Sequence, residues 1–389
     1  MKRTFFLLLL SSFFLFSAQA QESCHLRTSL LTCAPGAELY STFGHTAIRV
    51  LDSANGSDEV YNYGTFEFAD DFYAKFVRGK LLYILSVQSF TDFMYQYQAE
   101  SRSVAEQELE MNCLEKRRLL TALHRNALPE NRAYRYDFLF DNCTTRARDM
   151  VDTGGSATVV FKNILPEEPP TFRNLIDIYL NRANQHWSKL GIDLLLGAKM
   201  DRQATNREAM FLPDNLLMAF DSASVHEYPL VKTKRTILQM PALENESLLI
   251  TPLIAFSGLL VIMAGLTFTK RNWAQTMIGI LDFLLFFSLG IIGMLLLFMW
   301  FGTDHALCAN NYNLGWALPA NLVAAFFVHK RIRWVQSYFK VVFWVTILLL
   351  LSWAFLPQQM NNAFLPLVVT IALRSRMLSQ KKNHAGKRI

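Results

Sequence analysis

Two short segments of this 389-residue chain hold residues that could form a nucleophile and its base. His45 stands at the start of a predicted strand, and Cys143 follows Asn142 at the start of a predicted helix. A helix N-terminus carries partial positive charge and free N–H groups, which favour a thiolate and lower the pKa of a cysteine. A neighbouring histidine would complete a pair suited to covalent acyl transfer, and N–H groups at the helix start, around Asn142 and Thr144, could hold an oxyanion. Asn142 could equally be a helix cap. By spacing alone, a structural cysteine and a core histidine are the simpler explanation of such a pair.

The elements that must position these residues can be predicted from residue patterns. Residues 46–50 and 60–63 alternate around a turn at 53–57 with Asn55-Gly56 at its centre, which predicts a β-hairpin carrying His45. Further strands are predicted at 83–88 and 103–111, and a helix over 114–127. Residues 134–140 read as a strand or an extended approach to a helix through 146–151, capped by Asp141 or Thr144. Residues 171–220 show helical spacing, and 226–247 resemble a polar connector.

The two ends of the chain predict export and membrane insertion. Residues 1–20 have the basic start, apolar run and small-residue cleavage site of a secretory signal, which leaves an exported domain over 21–247. The region 248–373 is mostly apolar and predicts an all-α bundle of about five spans, because a span needs ~20 apolar residues. The predicted spans are 248–268, 277–300, 314–328, 341–356 and 361–373, followed by a basic tail over 374–389.

Lysine and arginine set the predicted orientation. They follow the first, third and fifth spans, whereas the loops 301–313 and 357–362 contain none. With the exported domain outside, all three basic segments lie in the cytoplasm only if five spans exist. The net charge of +6 therefore reflects membrane orientation, and no nucleic-acid partner is expected.

The chain has five cysteines, an odd number that leaves at least one thiol unpaired in an oxidising compartment. Cys24 and Cys33 could pair with each other, or either could pair with Cys113, and the sequence does not choose between these pairings. Cys143 is the cysteine whose surroundings suggest chemistry.

Several segments together resemble the Lnb family, the lipoprotein N-acyltransferases of Bacteroides-type bacteria. The segments are Leu31-Thr32-Cys33-Ala34-Pro35-Gly36, Tyr40, Phe43-Gly44-His45-Thr46-Ala47-Ile48-Arg49-Val50, Tyr61-Asn62-Tyr63-Gly64-Thr65-Phe66 and Asp141-Asn142-Cys143-Thr144-Thr145-Arg146. More broadly, a hairpin histidine followed by Asn-Cys at a helix start resembles the circularly permuted papain-like fold of NlpC-type and lecithin:retinol acyltransferase-like enzymes. The resemblance implies an α+β exported domain of that fold in front of the membrane helices.

The resemblance also implies a reaction. Cys143 would attack a phospholipid ester with His45 as base, and the thioester would pass its acyl chain to the α-amine of a diacylglyceryl-cysteine lipoprotein. The implied partners are a phospholipid donor, a diacylated lipoprotein acceptor and the bilayer. The implied location is the bacterial inner membrane, with the N-terminal domain in the periplasm. No cofactor and no metal is implied.

Other residues are weaker candidates. A papain-like scheme needs a polar group that orients the histidine, and folding the hairpin favours Asn62, with Tyr63 second. A plain role in the turn and in packing is the alternative for Asn62. Arg49 and Arg146 could meet lipid phosphate, although ion pairing is the more common role of an arginine. The loop 302–313, which contains His305, could contact a head group, dock the exported domain or be a plain polar loop; a His-x-x-Cys pair alone supplies too few ligands for a metal.

Two alternative functions remain open from the sequence. A membrane-tethered peptidase or amidase of the cell envelope would use the same cysteine and histidine with water as acceptor. A non-enzymatic scaffold would only bind lipid or a partner. An apolar path from Cys143 to the bilayer would favour acyl transfer, a polar cleft would favour the peptidase, and a disulfide-bonded Cys143 would favour the scaffold.

Overall fold

The computed structural model describes residues 24–66, 71–154, 158–241, 249–330 and 332–380. The predicted signal peptide at 1–20, residues 242–247 of the predicted connector and residues 381–389 of the predicted tail lie outside the described residues.

A seven-stranded antiparallel sheet forms the centre of the N-terminal domain, in the spatial order β6-β4-β3-β2-β1-β5-β9. The predicted hairpin is confirmed: Asp52 pairs with Ser57, and Gly56 adopts the left-handed backbone (φ 76°) that the turn requires. The strands are β1 (Leu26–Cys33), β2 (His45–Asp52), β3 (Ser57–Thr65), β4 (Leu82–Ser89), β5 (Val104–Leu109), β6 (Ala133–Arg135) and β9 (Val231–Leu238), with a separate hairpin of β7 (Ser224–Val225) and β8 (Tyr228–Pro229).

Helices cover both faces of this sheet, because successive strand residues point to opposite faces. The helices are α1 (Phe72–Val77), α2 (Phe90–Ala99), α3 (Cys113–Ala127), α4 (Cys143–Gly154), α5 (Phe172–Arg182), α6 (His186–Leu195), α7 (Asn206–Ala209) and α8 (Pro213–Ser222). Leu30 and Ile48 belong to a core packed with α3, α4 and α8, whereas Leu31 and Ala47 belong to a core packed with α2.

One predicted connector is partly a strand. Residues 231–238 form β9 at the sheet edge, where Arg235 makes a 2.6 Å ion pair with the buried Glu106 of β5. The prediction was wrong here because β9 is rich in lysine and arginine, and charged side chains are common on exposed edge strands.

The C-terminal region is helical. It contains α9 (Pro252–Phe268), α10 (Asn272–Phe301), α11 (Asn321–Ala324), α12 (Arg333–Ser352) and α13 (Leu365–Ser379). Within the described residues, 272–301 and 333–355 are long and apolar enough to cross a membrane, and α9 is a shorter apolar helix. The predicted span 314–328 is not one regular helix but a series of short helical turns that includes α11. Its backbone packs against Gly290 and Gly293 of α10 so closely that a side chain at either glycine would collide with it.

A buried ion pair links two of these helices. Arg374, predicted in the cytoplasmic tail, lies inside α13 and binds both carboxylate oxygens of Asp282 in α10 at 2.7 Å. The Arg374 guanidinium also donates to Thr267 of α9. Pairing of this kind is what makes buried charge tolerable between apolar helices.

The N-terminal domain is fastened to loops of the helical region at the end of α6. The last carbonyl groups of a helix lack intrahelical partners, and here asparagine side chains satisfy them. Asn311 donates to the carbonyl oxygens of Leu194 and Leu195, and Asn313 donates to that of Asp193. The loop 302–313 therefore docks the domain, which confirms one of the alternatives predicted for it.

Candidate active site

The position of Cys143 is set by the residue before it. The Asn142 side-chain oxygen accepts hydrogen bonds from the backbone N–H groups of Thr144 (2.9 Å) and Thr145 (2.8 Å), which caps α4. The Asn142 amide nitrogen donates to two carbonyl groups, those of Phe138 and Phe211. The cap is therefore Asn142, which confirms the alternative role predicted for it, and not Asp141 or Thr144. Asn142 fixes the helix start, and its side chain has no donor left for an oxyanion.

His45 lies between Cys143 and Asn62. It is the first residue of β2, and its Nε2 lies 2.6 Å from the side-chain oxygen of Asn62 on the neighbouring β3. Because an amide oxygen only accepts, Nε2 carries the proton and donates it there. This leaves Nδ1 for the hydrogen bond between His45 and the Cys143 thiol. The structure thus brings together the three residues expected to act as nucleophile, base and orienting group.

The electrostatic surroundings of Cys143 and His45 favour the thiolate and the imidazolium. Burial raises the pKa of the Cys143 thiol, but the charge and hydrogen bond of His45 and the hydrogen bonds of Thr46 and Thr144 outweigh it, so the pKa falls from 9.0 to about 7. Burial lowers the pKa of His45, but Cys143 and Asn62 outweigh that effect and raise it overall. Both shifts stabilise a thiolate beside an imidazolium.

Two threonines hold the helix start against the strand. The hydroxyl oxygens of Thr46 and Thr144 lie 3.2 Å apart, and that of Thr144 lies 3.7 Å from the Cys143 sulfur. Both threonines are buried. Thr144, predicted at the oxyanion site, therefore contacts the nucleophile directly, whereas its backbone N–H is used by the Asn142 cap.

Sequence reasoning missed two tyrosines beside the nucleophile. A side chain at Gly64 (φ 87°) would meet the Cβ of Cys143 at 3.4 Å, the ring of Tyr136 at 3.7 Å and the hydroxyl of Tyr134 at 3.9 Å, so these groups converge on one point. Tyr134 is 6% exposed, and among the described residues its hydroxyl has no hydrogen-bond partner. The only signal was the Tyr134-Arg135-Tyr136 alternation just before Asn142-Cys143, which predicted a strand and nothing more.

Tyr63 and Arg146 turn towards other partners. The Tyr63 hydroxyl donates to Asn126 at 2.6 Å, so it does not orient His45. The Arg146 guanidinium binds both oxygens of Asp141, at 2.6 and 2.8 Å, and lies 3.5 Å from the centre of the Tyr134 ring. This arrangement fixes Tyr134 and leaves the Arg146 charge already paired.

Arg49 and His305 are also engaged within the chain. Arg49 is buried, binds Asp58 and Glu106, and stacks on Phe90 at 3.3 Å. These contacts give it a structural role in the sheet, which contradicts the suggested contact with lipid phosphate. His305 lies apart from Cys143, where its Nε2 donates to the carbonyl oxygen of Phe76 at 3.1 Å.

The disulfide pairings considered from the sequence are not formed. Cys24, Cys33 and Cys143 are free thiols. Neither a Cys24–Cys33 bridge nor a bridge from either residue to Cys113 is formed, and Cys143 keeps its sulfur available for chemistry.

Comparison with known protein families gives two matches that together span most of the chain. Residues 18–177 match a family described as the Lnb N-terminal periplasmic domain, and residues 244–384 match one described as the Lnb transmembrane domain. Searches of curated proteins and of solved structures give no match. The first match contains the whole Asn62–His45–Cys143 arrangement, and the second covers α9 to α13.

Proposed function

We propose, from the premise that this chain belongs to the Lnb family, that it transfers an acyl chain from a phospholipid through a Cys143 thioester to the α-amine of a diacylated lipoprotein. The family makes the chain a membrane protein of the lipoprotein-modification type with a periplasmic domain. The observation that carries the finer proposal is the continuous contact from Asn62 through His45 to a free Cys143. A permuted papain-like fold, five membrane spans and an inner-membrane location are parts of the same proposal.

The first half-reaction uses the thiolate that the site favours. The Cys143 sulfur attacks the ester carbonyl carbon, and the carbonyl oxygen gains the negative charge. When the intermediate collapses, the carbon–oxygen ester bond breaks, and the leaving lysophospholipid oxygen takes the proton held by His45. The products are a Cys143 thioester and a neutral His45, which is ready to act as a base.

The second half-reaction forms the amide. The lipoprotein amine attacks the thioester carbonyl, and His45 accepts a proton from the nitrogen. The carbon–sulfur bond then breaks and regenerates the thiolate beside the imidazolium. Asn62 holds the imidazole ring in one orientation and one tautomer through both halves.

Two donors are available for the oxyanion. Asn142 takes the N–H groups of Thr144 and Thr145, so the N–H of Cys143 itself is the one left at the helix start. The buried Tyr134 hydroxyl is the second, because it converges with the Cys143 Cβ on the space beside Gly64 and has no partner within the described part of the chain. A donor that is already in place when charge develops is worth about 10²- to 10³-fold in rate.

Intact mass spectrometry tests the proposal directly. The full-length protein is incubated in detergent micelles with a phospholipid of defined acyl chains, beside Cys143→Ala and Cys33→Ala. We expect a mass increase equal to one acyl chain, removed by hydroxylamine, in the wild type and in Cys33→Ala but not in Cys143→Ala. An unmodified wild-type protein with a free, alkylatable Cys143 would refute the proposal.

Addition of acceptor separates acyl transfer from the peptidase alternative. A diacylglyceryl-cysteine peptide with a free amine should discharge the adduct and gain the same acyl mass, whereas its N-acetylated counterpart should not. Cleavage of cell-wall peptides without any lipid-derived adduct would support a hydrolase instead.

A further inference from the structure

An exposed aromatic surface lies at the junction of the two domains. On α1, Tyr73 is 75% exposed and Phe76 is 51% exposed. Single exposed apolar side chains are ordinary, but Val77 and Leu82 extend the same segment and are also exposed. We name α1 and the following residues to Leu82 the aromatic platform.

The platform is joined to the outer end of α10. The carbonyl oxygens of Phe76 and Arg78 accept hydrogen bonds from His305 (3.1 Å) and from the Asp304 backbone N–H (2.9 Å), just beyond the end of α10 at Phe301. Because α10 is one of the helices long enough to cross a membrane, we place its end near the bilayer surface. The exposed rings of the platform lie beside that end of α10.

A series of aromatic rings leads from the platform to the nucleophile. The ring of Phe72 in α1 lies 5.3 Å from that of Phe66, Phe66 lies 5.5 Å from Tyr83, and Tyr83 stacks on Tyr136 at 4.3 Å. Tyr136 in turn is one of the groups that converge with Cys143 on Gly64. Phe66, Tyr83 and Tyr136 all keep part of their surface exposed, so they form an apolar strip rather than a closed core.

We propose that the aromatic platform dips into the outer leaflet of the membrane and that the strip of Phe66, Tyr83 and Tyr136 guides a phospholipid acyl chain from the bilayer to Cys143. Aromatic side chains favour the membrane interface because one part is apolar and the other tolerates water. The exposed Arg78 and Lys80 on the same segment would attract anionic head groups. This inference rests on the proposed function and adds the route by which the donor lipid arrives.

Photo-crosslinking tests the route without requiring turnover. The full-length Cys143→Ala variant is placed in nanodiscs of phosphatidylethanolamine and phosphatidylglycerol containing a phospholipid with a mid-chain diazirine, then irradiated and mapped by peptide mass spectrometry. We expect lipid adducts on Tyr73 or Phe76 and on Tyr83 or Tyr136, in addition to α9–α13. Adducts confined to α9–α13 would overturn the route.

A rate comparison tests its contribution to acylation. Tyr73→Asp and Phe76→Asp are compared with Tyr95→Asp, a matched control because Tyr95 on α2 is 74% exposed. For each variant, acylation of Cys143 is measured with phospholipid in nanodiscs and with a water-soluble short-chain ester. The phospholipid-to-soluble rate ratio should fall about tenfold in the platform variants and stay constant in the control, since a charge opposes entry into the interface.

The two measurements distinguish a failure of the proposed lipid route from a failure of the proposed function. An unchanged ratio in both platform variants would overturn the route while leaving the Cys143 thioester intact. A wild-type protein that forms no thioester with either ester would refute the proposed function instead.

Discussion

Cys33 and Cys143 both lie beside His45, Cys33 directly opposite it in the β1–β2 register and Cys143 at the start of the helix that packs against β2. Both are buried. Burial raises the pKa of Cys33 to about 12, and the charge of Arg102 and a hydrogen bond with Tyr97 only partly oppose it. The same burial penalty at Cys143 is outweighed by His45, and the pKa falls to about 7. Proximity along the sheet therefore does not activate a thiol; direct contact with the imidazole and with N–H and hydroxyl donors does.

Replacement of His45 should remove most of the difference between the two thiols. In His45→Gln the charge that opposes burial is lost, so the pKa of Cys143 should rise above 9. Acylation by phospholipid should fall about 10³-fold. Alkylation by iodoacetamide, followed by peptide mass spectrometry from pH 5 to 10, checks the shift. Wild-type Cys143 reacts as the thiolate, so its rate should rise with pH, reach half its maximum near pH 7 and then level off.

Cys33 serves as the internal reference in that experiment. With a pKa of about 12, it should stay almost unmodified over the whole range in both proteins. A half-maximum near pH 7 that persists in His45→Gln would show that His45 is not the group that activates Cys143.

Tyr134→Phe should have the next largest effect on the rate. Loss of the proposed oxyanion donor should slow acylation about 10²-fold. Stability should change by less than about 0.5 kcal/mol, because the hydroxyl makes no hydrogen bond that the described residues reveal. Rates of thioester formation and thermal unfolding in detergent measure the two quantities.

Tyr63→Phe is the matched control, because it removes a tyrosine hydroxyl that is bonded to Asn126 instead. It should cost about 1 kcal/mol of stability and leave acylation unchanged. Equal rate losses in the two variants would contradict a role for Tyr134 at the oxyanion.

The sequence predicted the chemical pair better than its surroundings. The hairpin turn at Asn55-Gly56 and the helix after Asn142 are local signals, because turn geometry and capping depend on a few adjacent residues. Together with the family resemblance, they pointed to His45, Cys143 and Asn62. Tyr134 could not be predicted in the same way. Its proposed role depends on the space beside Gly64 of β3, where its hydroxyl and Cys143 converge. That space is formed by sheet pairing between residues far apart in the chain.

The same dependence on distant parts of the chain explains the errors in the predicted strands and helices. β9 is a strand only because β5 offers an edge to pair with, so its charged residues gave no local sign of it. The predicted third span has apolar composition, but its conformation follows from the close approach of α10 at Gly290 and Gly293. Arg49 is similar: nothing in its neighbourhood along the chain indicates that Glu106 lies beside it.

Asn62→Ala should reduce acylation about tenfold, by an effect on kcat with little change in KM. The His45 ring would lose the acceptor at 2.6 Å that holds its orientation, but it would keep its contact with Cys143. Asn62→Asp retains an oxygen acceptor and should recover most of the rate, with the pKa of His45 raised further by the added charge. Loss of activity in both variants together with unfolding would indicate a structural role only.

Cys33→Ala is expected to have the smallest effect on acylation. It tests whether the inactive thiol of the comparison can be removed without changing the active one. Cys33 packs in the core beneath α2 with Leu31 and Ala47, so removing its sulfur leaves a small gap that should cost about 1 kcal/mol and lower Tm by about 2–4 °C. Thioester formation and its pH dependence should be unchanged, because the sulfur carries no charge near neutral pH that His45 could sense. A tenfold loss of acylation in a folded Cys33→Ala protein would mean that the two thiols are chemically coupled through His45, and the contrast between them would fail.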